Sequence, residues 1–372
     1  MSTRVDPEAL PSPAGIAELT SSLRRDLAAA ATRVIDSGWL VLGPEVEAFE
    51  EEFSDWAGAT ACVGVASGTD ALTLILMAAG IGPGDEVIVP SNALPTAFGV
   101  AASGATLRFA DVGSTDYNLD PDEVERLTGP RTRAVVAVHL YGHPARTDEI
   151  ARRIDRSRIA LIEDCAQAHG AQFEGSPVGL VGDAAAWSFY PTKNLGALGD
   201  GGAVTTSDTE LAERVRSLRV YGEEERYRSP RVGTNSRLDE LQAAMLRVKL
   251  AHLEEWQRRR REVAATYDEL LAGSAASRPP HADDITHARH LYPARVPDRD
   301  ALRAGLSERG LNLGIHYPLG AHQQPCFSEL ADRALPVTED LAGSLLSLPM
   351  HPFVSEPQAQ TVAEMLLAGL AD

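Results

Sequence analysis

Asp183-Ala-Ala-Ala-Trp-Ser-Phe-Tyr-Pro-Thr-Lys-Asn-Leu-Gly-Ala-Leu-Gly-Asp-Gly-Gly-Ala-Val-Thr-Thr206 places one lysine between an apolar run and a glycine-rich turn. Residues Ala184 to Phe189 are small or apolar and read as a strand inside a sheet. Pro191 ends that strand. Gly196, Gly199, Gly201 and Gly202 then supply a backbone-rich bend before Ala203 to Thr206 turns apolar again. Lys193 therefore stands at the mouth of a sheet, with no charged neighbour until Asp200. A lysine withdrawn from water has a lowered pKa and becomes nucleophilic, as Schiff-base chemistry requires. The same local pattern also describes a solvated loop, so partners elsewhere in the chain decide between the two.

The chain has 372 residues, enough for one large α/β domain plus a smaller one. Its 44% apolar and 23% charged residues are those of a soluble globular protein. The formal net charge of −19 argues against nucleic acid as a partner, because phosphate backbones need clustered Lys and Arg. A few local cations can still hold an anionic small molecule. No tract approaches the roughly 18 apolar residues of a membrane span, and Met1 to Pro13 lacks a secretory core, so a cytoplasmic location without a membrane partner is expected. Cys62, Cys165 and Cys326 are odd in number and far apart, which indicates neither a disulfide framework nor a CxxC metal site.

Around the lysine the chain alternates. Ile16 to Ser37 and Val46 to Trp56 carry helical apolar spacing. Strand runs at Ala61 to Val65, Glu86 to Val89, Thr106 to Phe109, Ala134 to Val138 and Ile159 to Ile162 follow, with helices starting near Thr69 and Pro95. Alternation of this kind predicts an α/β fold, a mostly parallel central sheet flanked by helices. Leu238 to Leu271 reads as one long helix joining a large domain, residues 1–255, to a small C-terminal α+β domain, residues 256–372.

Val63 to Leu72 runs from a strand through Ser67-Gly68-Thr69 into a helix. Free N–H groups at a helix start make an anion site, and Gly68 lets a phosphate approach the backbone; an ordinary capped helix has the same spacing. Asp164 lies just past an apolar strand, at the carboxyl end where open α/β sheets bind ligands. A buried carboxylate needs a cationic or hydrogen-bonding partner, which a protonated pyridine nitrogen or a structural salt bridge would equally supply.

Taken together, SGTDAL (67–72), HLYGHP (139–144), EDCAQAHGA (163–171), SFYPTKNLGALGDGGAV (188–204), GTNSRLDELQAA (233–244) and GIHYP (314–318) resemble the sugar aminotransferases of the DegT/DnrJ/EryC1/StrS family. The resemblance implies a fold-type I enzyme dependent on pyridoxal 5'-phosphate (PLP). It implies that Lys193 is the Schiff-base lysine, Asp164 the pyridinium partner and Gln167 the ligand of the ring's phenolic oxygen. Gly68, Thr69 and Ser188 would cradle the phosphate. Asn235 would reach the phosphate of a neighbouring subunit, in a homodimer with shared active sites. Relatives that dehydrate their sugar carry His where this chain has Lys193, so the resemblance favours transamination. Where many relatives stack an aromatic residue on the ring, this chain reads Asn92-Ala-Leu-Pro-Thr96, and Leu94 would pack by dispersion alone.

The lysine turn, Arg219-Val-Tyr-Gly222 and Asn235-Ser-Arg-Leu-Asp-Glu240 resemble the branch that aminates C3 of nucleotide-linked (dTDP) 3-keto-6-deoxyhexoses, with L-glutamate as amino donor. C4 amination, dehydration of a related keto-sugar, and a non-catalytic regulatory protein remain as alternatives. Arg219, Tyr221, Arg237, His316, Tyr317 and His322 are the candidate substrate contacts, or else solvated or structural groups. In an extended segment Arg219 and Tyr221 would share a face. His139 and His143 have a helical metal-ligand spacing, but Gly142 and Pro144 oppose a helix and no third ligand is evident, so no metal is expected. His281, His287 and His290 flank the Ser/Ala/Pro-rich boundary and are expected to be exposed.

Overall fold

The computed structural model describes residues 10–279 and 284–371, which leaves His281 outside the described residues. The N-terminal helical pattern resolves into α1 (Ile16–Ser22) and α2 (Arg24–Ser37), with Leu23 between them at ψ 10°. α3 (Pro44–Ala57) has proline at its first position and stops at Gly58, whose φ of 72° a side chain would resist. The alternating region then gives β1 (Ala61–Val65), α4 (Gly68–Ala78), β2 (Glu86–Pro90), α5 (Leu94–Ala102), β3 (Thr106–Ala110) and α6 (Pro121–Leu127). Next come β4 (Thr132–Val138), α7 (Thr147–Arg153), β5 (Ala160–Asp164), and a short hairpin of β6 (Gln172–Phe173) and β7 (Ser176–Pro177). β8 (Ala184–Ser188), β9 (Gly202–Thr206) and α8 (Thr209–Leu218) complete the unit.

Seven of these strands form one sheet in the order β1-β9-β8-β5-β4-β2-β3. β2, β3, β4, β5 and β8 run parallel, whereas β9 is antiparallel to both β8 and β1. The mostly parallel sheet expected from the alternation is therefore present. Successive side chains of a strand face opposite sides, and β8 shows the consequence. Ala184 and Ala186 join the core beneath α4 and α8, while Ala185 and Trp187 join Phe49, Phe53 and Phe189 on the α3 side.

The long helix predicted over 238–271 is two helices, α9 (Glu240–Leu250) and α10 (Leu253–Leu270), separated at Ala251 and His252. α9 packs on α2 and α3, whereas α10 has to reach a second core; the two packing surfaces do not lie along one axis. Leu253 belongs to the core on the α3 side. Val263, Ala264 and Tyr267 belong to the C-terminal core with Tyr292, Leu346 and Leu366. That core is built by β11 (Tyr292–Arg295) paired antiparallel with β12 (Leu345–Leu348) and covered by α11 (Arg299–Glu308) and α13 (Glu356–Ala371), while α12 (Pro336–Ser344) packs Leu341 on the large sheet's core and β10 (Ile285–Thr286) adds to the β6/β7 hairpin. The segment before α12, and the first turn of α12 itself, return to the sheet: Ala321 N–H donates to Ser91 O at 2.6 Å, and the Thr338 hydroxyl donates to Asp111 at 2.8 Å. This docking carries the 314–322 segment to the carboxyl ends of the parallel strands.

Candidate active site

Lys193 lies in the turn that leaves β8. Phe189 N–H donates to Gly201 O, and Ala197 N–H to Phe189 O, both at 2.7 Å, so the turn folds back over the strand end. Gly196 is required there, since a Cβ would meet Pro191 O at 2.5 Å. Two hydrogen bonds tie the turn to its surroundings. The buried Lys249 ammonium of α9 donates to Gly196 O at 2.5 Å, and Asn194 Nδ2 donates to Ala288 O at 2.8 Å. Lys193 keeps partial solvent access. Desolvation lowers its pKa to about 8, against a smaller opposing pull from the Asp164 charge.

That opposing pull places the acid beside the amine. Asp164 ends β5, the neighbour of β8, and pairs across the sheet with Ala186. Its carboxylate is buried, with Oδ1 accepting from Ala166 N at 3.0 Å and Oδ2 from the Thr96 hydroxyl at 2.7 Å. Gln167 stands one turn on. Its Oε1 accepts from Tyr141 N–H at 2.6 Å, which leaves the amide N–H groups to donate elsewhere. Tyr317 bonds to Gln167, and burial near Asp164 raises its phenol to about 12.

The expected phosphate turn is built by close backbone approach. Ser67 caps α4, its hydroxyl accepting from Asp70 N at 3.1 Å. A Cβ on Gly68 would fall 2.6 Å from Ser188 Cβ, and one on Gly202 would fall 2.3 Å from the Ser67 carbonyl carbon. Gly68, Thr69 and Ser188 are thereby gathered where the α4 N-terminus meets the end of β8. Only a backbone this compact leaves N–H groups bare for an oxyanion. Ser236 ties in the 233–237 segment, bonding Ala66 N at 3.1 Å and Asp70 Oδ2 at 2.7 Å. Asn235, next in sequence, is exposed. Backbone N–H groups at the start of α4, a buried carboxylate with free lone pairs and a low-pKa amine form a set of groups that fits a phosphorylated pyridine aldehyde.

The candidate substrate residues divide. His316 is half-buried; its Nδ1 bonds Ser347 Oγ at 2.9 Å and its carbonyl accepts from the Tyr141 hydroxyl at 2.5 Å. Burial and the Lys193 charge both lower its pKa, which puts it at the site with Tyr317. Arg237 is half-buried and Tyr221 is exposed.

Arg219 is a correction. It follows α8 and turns inward, its Nη1 donating to Glu50 Oε1 at 2.5 Å and to Gly64 O at 2.7 Å. Its charge is matched inside the core, and Tyr221, at φ 58°, does not share its face. His322 is likewise consumed, since its ring nitrogens bond Ser91 Oγ at 2.6 Å and Glu339 at 3.1 Å in a buried position. His287 and His290 are buried rather than exposed, because the chain after residue 284 packs back onto the lysine turn; His290 Nδ1 bonds Asn194 Oδ1 at 3.1 Å. Burial drives the His290 pKa well below the usual range.

His139 and His143 bracket a single 3-10 turn, Leu140–Gly142, so they do not share a helix face. His139, Glu163 and Cys165 are close enough to chelate, yet the histidine and the glutamate are engaged. His139 bonds Glu163 at 2.9 Å and accepts from Ala145 N at 2.9 Å. Glu163 also takes three backbone N–H donors, from Gly179, Val181 and Gly182. Burial alone would raise the Glu163 pKa; the His139 contact and the amides hold it below the ordinary value.

Sequence reasoning missed Thr96, Tyr141 and His169. Thr96 lies two residues past Leu94, in the stretch read for ring stacking. His169 ends the same motif as Asp164 and is fully buried among Trp56, Trp187 and Phe189, with neither ring nitrogen bonded. Burial and the Lys193 charge lower its pKa to about 3, so it is a neutral wall of the site. A cavity of about 1040 Å³ between α10 and the β6/β7 hairpin lies behind Gly170 and Gln257, and neither Lys193 nor Asp164 lines it.

With this geometry in view, the comparisons with known proteins are consistent. Residues 21–367 match the DegT/DnrJ/EryC1/StrS aminotransferase family. The chain is 47% identical over 346 residues to a dTDP-3-amino-3,4,6-trideoxy-alpha-D-glucose transaminase of Streptomyces venezuelae, covering 92% of this chain and 91% of that one. It is 48% identical to the erythromycin biosynthesis sensory transduction protein EryC1 of Saccharopolyspora erythraea, covering 93% and 96%. The crystal structure of S. venezuelae DesV in complex with a ketimine intermediate superposes with a TM-score of 0.92 at 46% identity, covering 95% of this chain and 96% of DesV. The chain belongs to the DegT/DnrJ/EryC1/StrS aminotransferase family, with the fold-type I architecture of its sugar aminotransferases.

Proposed function

We propose that this enzyme transfers the amino group of L-glutamate to C3 of a nucleotide-linked 3-keto-6-deoxyhexose, with dTDP as the nucleotide, in deoxyamino-sugar biosynthesis of the kind that serves antibiotics. It is a sugar aminotransferase and its cofactor is PLP. When bound, the cofactor supplies an electron sink for the carbon that loses a proton. Lys193 is the amine that holds the cofactor between turnovers and then moves that proton, and a pKa near 8 leaves about a tenth of it unprotonated at pH 7. Asp164 keeps the ring nitrogen cationic, Gln167 donates toward the phenolic oxygen, and Gly68, Thr69 and Ser188 hold the phosphate. His316 and Tyr317, carried in by the 314–322 segment, and Arg237 and Tyr221 at the rim are the substrate contacts.

The active unit is a homodimer in which Asn235 reaches across to the partner's phosphate. Supporting this, Ile35, Trp39, Leu40, Leu198 and Leu241 are exposed apolar groups, and Glu240 N–H donates to Leu40 O, so the 39–41 and 239–242 segments are neighbours near Asn235. Substrates are small molecules; no helix among the described residues is long and apolar enough to cross a membrane, and a cytoplasmic location suits the reaction.

The lysine at 193 beside the acid at 164 carries this reading, together with the name of the 47% identical relative for the C3 position. Incubation with glutamate and the 3-keto sugar nucleotide, with NMR of the product, tests it; a 4-amino product or a dehydrated sugar rejects C3 amination. A sensory role, raised by the EryC1 name, predicts that glutamate leaves the spectrum of the bound cofactor unchanged.

A further inference from the structure

We propose that Thr96 is a positioning residue that orients the Asp164 carboxylate. The inference rests on reading Asp164 as the partner of the cofactor's ring nitrogen. An ionised carboxylate offers about four lone-pair sites. The Ala166 amide takes one on Oδ1 and the Thr96 hydroxyl takes one on Oδ2, at 3.0 and 2.7 Å. The two donors grip different oxygens, so rotation of the carboxylate breaks both contacts at once. The lone pairs that remain are the ones left for a ring nitrogen.

The behaviour of other threonines shows what is particular here. The hydroxyls of Thr20, Thr32, Thr128 and Thr361 return to the carbonyl four residues earlier in their own helices. Thr96, the third residue of α5, instead reaches 68 residues along the chain to Asp164. It is 2% exposed, and a hydroxyl buried that deeply is costly unless bonded, so valine would fill the position better if packing were its only task. A hydrogen bond to a charged group outweighs a neutral one. Without it the carboxylate gains rotational freedom, and that weakens its hold on a pyridinium.

The test uses the full chain freed of cofactor and titrated with pyridoxamine 5'-phosphate, which forms no bond to lysine, so binding reports ring and phosphate contacts alone. Thr96→Val is expected to weaken binding about 10-fold, Thr96→Ser to stay within about threefold of the parent, and Thr96→Val placed on Asp164→Ala to add less than about twofold. The ¹⁵N chemical shift of a ring-labelled ligand supplies a second readout: protonated in the parent and in Thr96→Ser, shifted toward neutral in Thr96→Val. Should Thr96→Val not fold, Thr96→Ala carries the same comparison. Parent-like affinity and ring protonation in the variant lacking the hydroxyl, or an equal loss on the Asp164→Ala background, overturns the inference. Failure of the parent to bind would instead remove the cofactor reading itself, and this one with it.

Discussion

Arg219→Leu separates a structural cation from a substrate-binding one. In the parent, Arg219 Nη1 sits 2.5 Å from Glu50 Oε1 and 2.7 Å from Gly64 O, with side-chain exposures of 9% and 11% for the pair. Leucine keeps the bulk and removes every donor. Glu50 then retains Gly64 N–H at 2.8 Å, and Arg216 at 3.8 Å is its nearest remaining cation. Breaking a buried ion pair from one side costs about 3–5 kcal/mol, because the other charge stays desolvated. Unfolding entropy scales with length, and 372 residues give about 0.8 kcal/mol per degree, so the melting temperature should fall by about 4–6 °C. Leucine at both positions should recover most of that loss, since an apolar pair of similar volume replaces a buried ion pair at little cost. Calorimetry of the parent and the two variants, with KM for the sugar nucleotide measured below the transition, is the assay. A parent-like melting temperature with KM raised about 10-fold would refute the reasoning and return Arg219 to the substrate site.

Two further outcomes are expected. In the cofactor-free chain, acylation of Lys193 by an amine reagent should follow a titration with its midpoint near pH 8, because desolvation disfavours the ammonium; a midpoint at 10 or above rejects the buried environment. The sign for stability follows: the unfolded lysine stays protonated up to about 10.5, so between pH 8 and 10.5 the unfolded chain binds more protons and this group's contribution rises with pH. Mixing inactive Lys193→Ala with Asn235→Ala chains should restore about a quarter of parent activity through hybrid dimers holding one intact site, and no recovery on mixing rejects shared sites.

The sequence by itself determined the sheet, because the alternation of apolar runs with helical spacing admits few other architectures, and it located Lys193, Asp164 and Gly68. Asp164 ends a strand, Gly68 starts a helix and Lys193 lies in the turn that leaves a strand, positions that secondary structure alone sets relative to the sheet, so local pattern was enough. Tertiary structure decided the rest. Whether Arg219 faces a ligand or the core depends on Glu50, 169 positions away, and no spacing rule reports that distance. His290 and His322 look like loop histidines until the lysine turn and Ser91 close on them. Thr96 is an unremarkable helix residue in the sequence and acquires a role only when α5 is laid beside the end of β5. The helix break at Ala251 and His252 carries no glycine or proline; two cores pulling on one amphipathic stretch set it. A side chain's partner is a property of the packed chain, whereas a strand's end is a property of its own residues.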